Sequence, residues 1–183
     1  SFISFPIFLG IAALAPQLIT LFLGEEWTQS IPIMQILTFV GILHAVSNFN
    51  DSIIFAVGKP SWNLKFKILS AVVIFTGFVV GVRWGLVAVS TAYVVSSYLL
   101  YPISILMVHK LIELDFKKYI GQFKASFVGS VLMVLSILVF QYTIGNSVDT
   151  LVSFILSSVI ALFVYFLSVY LIQPSLITKF RKF

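Results

Sequence analysis

Charged residues fall into a few short clusters, and the intervals between them are long and apolar. Ser1 to Gly24 and Trp27 to Asn50 each hold 24 residues without a charge. Ile68 to Val82 holds 15, Trp84 to His109 holds 26, Ala125 to Val148 holds 24 and Thr150 to Thr178 holds 29. A spanning helix needs about 20 apolar residues. Five intervals meet that length, and the short one is extended by Phe66 and by Lys67, whose long side chain can reach the headgroups. The pattern predicts six helices, at about 2–23, 31–57, 66–82, 84–108, 123–144 and 150–172. Strands of a membrane barrel would alternate apolar and polar side chains. Runs such as Ala71-Val72-Val73-Ile74-Phe75 do not alternate, so the fold class read here is an all-α membrane protein.

Composition agrees. The 183 residues are 60% hydrophobic and 9% charged, against about 25% charged in a soluble domain. There is no cysteine, hence no disulfide framework. The chain opens at Ser1 inside an apolar run and shows no signal-peptide pattern, so it reads as a piece of a longer protein.

The net charge of +5 invites a nucleic-acid reading, but the placement of the charges points to topology instead. Taking alternate loops to one side collects Lys59, Lys65, Lys67, Lys110, Lys117, Lys118, Lys124, Lys179, Arg181 and Lys182, and leaves only Arg83 on the other. The positive-inside rule makes the rich side cytoplasmic, with both ends of the chain inside and no nucleic-acid partner. Residues 110–124 alternate apolar and charged side chains as an amphipathic cytoplasmic elbow, and 174–183 form a basic tail. Trp27, Trp62 and Trp84 fall at predicted span ends. Pro32 suits a first helical turn, and Pro174 suits a stop. Cysteines at Ser30, Trp84 and Ser147 should then label from the periplasm, and those at Ser61, Gln122 and Ser175 only from the cytoplasm. Labelling of Ser147 and Ser175 from one side would remove the last span.

No phosphate loop, nucleophile elbow or metal-spaced cluster is present, so no metal or cofactor is expected. Chemistry concentrates in the second helix. His44, Asn48 and Asp51 follow i, i+4, i+7 spacing and share a face, with Ser47 and Ser52 at its margins. Asp51 lies about 10 Å nearer the cytoplasm than His44 at ~1.5 Å rise per residue. A carboxylate facing lipid at the bilayer centre costs roughly 2.5–3.5 kcal/mol. The stripe therefore faces the bundle interior or a water-filled cavity. It can line a substrate or cation path, with H⁺ or Na⁺ as coupling ion, or it can be an interhelical hydrogen-bond cluster. Gly77, Gly81 and Gly85 form two small-xxx-small steps for close helix packing. Pro16 and Pro102 are each expected to break the hydrogen-bond ladder of their helix locally. Tyr93, Tyr98 and Tyr101 read as packing with a polar rim, and Glu25, Glu26 and Trp27 as a solvated outer loop.

Several of these residues carry a resemblance. Gly24-Glu25-Glu26-Trp27 precedes a span opening Ile31-Pro32-Ile33; Asn50 stands late in that span. Ala56-Val57-Gly58-Lys59-Pro60 makes the next turn and Trp84-Gly85-Leu86 the one after. Over about residues 20 to 95 this resembles the C-terminal part of bacterial polysaccharide flippases, the O-antigen and exopolysaccharide transporters of the multidrug/oligosaccharidyl-lipid/polysaccharide exporter superfamily. The resemblance implies 12 to 14 spans in two lobes, with this chain as the C-terminal lobe. It further implies an inner-membrane location and alternating access. The partners implied are a lipid-linked oligosaccharide of the polyprenyl pyrophosphate type, membrane lipid and the N-terminal lobe. His44, Asn48, Asp51 and Asn50 are the cavity candidates. Asp51 departs from the expected neutral residue beside Asn50, and basic residues within the spans are scarce, so cationic lining is expected mainly from the other lobe. The activity implied makes no bond and is not enzymatic. A drug or cation antiporter of the same superfamily is the alternative transporter. A membrane-embedded glycan ligase or polymerase is the rival of another class, against which stand outer loops of about seven residues or fewer. A purely structural anchor would not need the polar stripe.

Overall fold

The computed structural model describes residues 3–112 and 124–172, with the side chains of residues 46, 48, 49 and 146 set aside. The described residues form six α-helices and no strand: α1 (Ser4–Phe22), α2 (Ile31–Ala56), α3 (Pro60–Gly81), α4 (Leu86–Ile112), α5 (Lys124–Thr143) and α6 (Thr150–Ile172). All six are long and apolar enough to cross a membrane. Large apolar side chains point outward along them, with Phe75 68% and Leu99 69% exposed, as expected where lipid is the solvent. This is an all-α, multi-pass membrane protein.

Two helix boundaries differ from the sequence pattern. α3 begins at Pro60, six residues earlier than the charge-free interval predicts. Proline at a first helical position has its φ already set and needs no N–H partner, and Lys65 and Lys67 then ride on the first two turns. The charges end the apolar run, not the helix. At the other turn, Val82–Trp84 is a 3₁₀ turn and α4 starts only at Leu86. It runs on to Ile112 with His109 and Lys110 in its last turn, where cations suit the helix dipole. The bulk of the expected elbow (113–123) and the basic tail with Pro174 lie outside the described residues.

α1 and α4 run through Pro16 and Pro102 without ending. Pro102 removes one N–H from its ladder, and the flanking turns keep helical geometry.

The chain divides into two compact units, residues 1–31 with 120–183 and residues 32–119. In the first, α1, α5 and α6 share a core of Leu14, Met133, Ile137, Ala161, Tyr165 and Val169. The α5–α6 seam is built from small residues. Gly129 leaves so little room that an added Cβ would lie 3.2 Å from Val169, and Ser130 and Ser157 are fully buried. Gln141 Nε2 donates to Gln17 Oε1 at 3.2 Å, tying α5 to α1.

In the second unit α3 packs closely on α4. Gly77 and Gly81 make that approach possible. A Cβ on Gly77 would meet Ser96 Oγ at 3.0 Å, and one on Gly81 would meet the α4 backbone at Val89 and Ala88, 3.1–3.2 Å away. Gly85 does something else. It has open space around it and a φ of +91°, so it is the turn residue before α4 and not a third packing step.

Hydroxyls inside the spans mostly satisfy themselves. Ser47, Ser70, Thr76, Ser90, Ser97, Ser130 and Ser158 each donate to the carbonyl four residues earlier in the same helix.

Candidate substrate-path cavity

α2 buries Val40, Leu43 and Ile54, and polar side chains tie it to α3 and α4. His44 Nε2 and the Tyr93 hydroxyl share a hydrogen bond at 3.3 Å. Tyr93 is itself seated against Phe78, with ring centroids 5.8 Å apart and tilted by 59°. One turn from His44, the Tyr98 hydroxyl donates to the Phe39 carbonyl at 3.2 Å. Towards the C-terminal end of α2, Asn50 is 1% exposed and its Nδ2 donates to Ser104 Oγ at 3.2 Å. An interhelical hydrogen bond of this kind in a membrane contributes roughly 0.6–2 kcal/mol. Asp51 is paired with Lys67 of α3, Nζ to Oδ2 2.8 Å.

These contacts border a cavity of about 280 Å³. α2 gives it His44, Ser47 and Asp51; α3 gives Lys67 and Ser70; α4 gives Ser97, Tyr101 and Ser104. Leu43, Ile74 and Leu100 fill in between. Since Ser47, Ser70 and Ser97 already donate within their helices, they offer only oxygen lone pairs to the space. The lining thus joins hydroxyl acceptors with one carboxylate and one ammonium. Phe66, Ala71 and the aliphatic side chains make up the rest of the wall, so these polar groups are set in a largely apolar surface. Among the described residues no three His, Asp or Glu side chains converge as a metal site.

Of the sequence candidates, the structure brings His44 and Asp51 to one wall, with Ser47 between them. Asn50 stands behind that wall as an α2–α4 fastener. The side chain of Asn48 lies outside the described residues. Sequence reasoning missed Lys67, which it sent to the headgroups, and the α4 serines. A signal for Lys67 was present. Asp51 and Lys67 stand eight residues on either side of Lys59, and a tight antiparallel turn there sets equidistant residues side by side. One ammonium of this chain, that of Lys67, reaches the cavity.

The fold defines a multi-pass helical membrane protein. No protein-family model and no solved structure matches the chain. Curated relatives do. The chain is 27% identical over 121 residues, 64% of its length, to the teichuronic acid biosynthesis protein TuaB of Bacillus subtilis. It is 25% identical over 99% of its length to a membrane protein in the cps region of Klebsiella pneumoniae. It is 30% identical over 79 residues, 43% of its length, to the lipopolysaccharide biosynthesis protein WzxC of Escherichia coli. The chain is thus similar to proteins named for the biosynthesis of bacterial surface polysaccharides, in line with the resemblance that its sequence carries. These alignments cover 24%, 37% and 16% of the respective relatives, so the chain corresponds to a little over a third of such a protein at most.

Proposed function

We propose that this chain is the C-terminal lobe of a flippase that moves lipid-linked oligosaccharide across the bacterial inner membrane for surface polysaccharide assembly. The observation that carries the proposal is the cavity of α2, α3 and α4 with its hydroxyl groups and its Asp51–Lys67 pair, set among helices whose outer faces are apolar. The relatives' involvement in teichuronic acid and lipopolysaccharide biosynthesis supports the substrate class. In this reading the cavity forms part of the polar path, with hydroxyl oxygens and the Asp51–Lys67 pair meeting sugar hydroxyls. The polyprenyl tail stays in lipid, and an N-terminal lobe closes the path and rocks against this one. Lys67 contributes attraction for the pyrophosphate, and further cations come from the other lobe. Both ends of the chain lie in the cytoplasm. No covalent bond changes, so the protein is a transporter and not an enzyme.

The absence of cysteine in this chain allows a direct test in a cysteine-free background of the whole protein. Ser47→Cys should export polysaccharide at the parent level until a small charged thiol reagent is added, and then fall several-fold. Thr76→Cys, on α3 away from the cavity lining, should be unaffected by the reagent. If Ser47→Cys takes up the reagent stoichiometrically and export continues unchanged, the cavity is not on the path.

A further inference from the structure

A second recess in the same unit lies between α3 and α4, on the other side of Phe66, which lines both cavities. It holds about 430 Å³ and is lined by Trp62, Lys65, Phe66 and Leu69 of α3 and Ile103 and Met107 of α4. On α3 these positions recur at i, i+3, i+4 and i+7, and on α4 at i and i+4, so each helix offers one face. The floor is apolar, and Leu69 and Ile103 are 44% and 39% exposed. The mouth is basic. Lys65 lies on it, and two further ammonium groups converge on its indole: Lys59 Nζ is 5.1 Å and Lys110 Nζ 5.8 Å from the Trp62 ring centroid.

Two cations gathered on one ring repel each other. The ring quadrupole offsets that only in part. Among the described residues of this unit the sole carboxylate is Asp51, and it is taken by Lys67; Glu113 and Asp115 lie outside the described residues. The cluster therefore calls for an anion. A free anion would leave the apolar floor uncovered. A lipid acyl chain alone would leave the cations unbalanced. A glycerophospholipid with a net negative headgroup satisfies both.

We propose that this α3–α4 recess is a specific site for one anionic phospholipid of the phosphatidylglycerol type. Its phosphate sits among Lys59, Lys65 and Lys110 beside Trp62, and an acyl chain lies over Phe66, Leu69, Ile103 and Met107. This binding is separate from transport through the α2–α4 cavity and holds whether or not that reading does.

The test is native mass spectrometry of the purified full-length protein, released from nanodiscs of equal phosphatidylglycerol and phosphatidylcholine. One phosphatidylglycerol should remain bound in preference to phosphatidylcholine. Each Lys→Gln change at Lys59, Lys65 or Lys110 should weaken retention about five-fold, in line with the usual worth of a basic residue at an anionic surface. The triple Lys→Gln variant should lose the lipid, and the triple Lys→Arg variant should keep it. Leu69→Trp, which fills the floor and leaves every cation in place, should lose the lipid as well, as it would not if the bound species were only phosphate. Thermal midpoints show that each variant is folded. Equal retention of the two phospholipids overturns the proposal, as does an undiminished lipid on the triple Gln variant. Displacement of phosphatidylglycerol by an equimolar polyprenyl phosphate also overturns it, because the recess then serves the lipid carrier.

Discussion

Gly81→Leu is expected to leave almost no monodisperse protein after membrane extraction, and Gly81→Ala to lower stability by roughly 1–3 kcal/mol, the usual cost of overpacking. The reason is what the new Cβ would touch. Around Gly81 the nearest atoms are Val89 Cα and the carbonyl carbon and oxygen of Ala88, at 3.1–3.2 Å. Backbone in the first turn of a helix cannot swing aside, so α3 and α4 must separate as rigid bodies. Gly77 provides the contrast. Its closest neighbour is a side-chain oxygen, Ser96 Oγ at 3.0 Å, and the next atoms are 3.6 Å or more away. Gly77→Ala should therefore cost less, and adding Ser96→Ala should recover most of the loss, a coupling expected between touching residues. Thermal midpoints in detergent, followed by size-exclusion recovery, read both effects. A Gly81→Ala protein as stable as the parent would mean that α3 and α4 do not approach as closely as described.

The second large effect concerns export. Asp51→Asn should reduce surface polysaccharide on the order of ten-fold per unit of inserted protein, with little change in the amount inserted. The pair is open enough, with side-chain exposures of 24% for Asp51 and 56% for Lys67, that its contribution to folding stays near the ~0–1 kcal/mol of an exposed ion pair. Its field inside the cavity is another matter, since a charge acts strongly on a substrate held away from bulk water. Reversing the pair, Asp51→Lys with Lys67→Asp, separates the two roles. The reversed pair can still tie α2 to α3, but it points its dipole the other way. Export is expected to stay low in the reversed protein. Recovery to the parent level would show that the pair is only a fastener and would remove Asp51 from the path.

Much of the architecture was legible because lipid imposes a coarse rule on sequence. Runs without charge mark α1, α2, α5 and α6 closely. The rule failed where a helix continues through its own charges, as α3 does past Lys65 and Lys67. It failed again at Gly85, where the three-glycine spacing looked like one packing face. The spacing carries no information about φ, and only the first two glycines meet α4. The polar stripe was readable as a face from His44 and Asp51. Its partners were not, because helical periodicity within α2 says nothing about which residue of α3 or α4 stands opposite. Counting outward from the turns supplies some of that. Asp51 and Lys67 are equidistant from Lys59, and Gly81 and Val89 from Gly85. Ser97 and Ser104 had no such signal, since isolated serines are common in membrane helices and several of those here bond to their own helix backbone.

That self-sufficiency of the hydroxyls bears on how the chain is made. A span whose serines and threonines are satisfied internally can leave the translocon alone, needing nothing from its neighbours. α2 cannot do so on equal terms, because His44, Asn50 and Asp51 all find their partners in other helices. A carboxylate is among the most costly residues for a nascent span to carry into hydrocarbon. Its counter-charge is supplied by the next helix to be synthesised, across a turn of only three residues from Val57 to Lys59. The carboxylate of α2 is thus matched within the α2–α3 hairpin, whereas His44 and Asn50 find their partners only once α4 has followed.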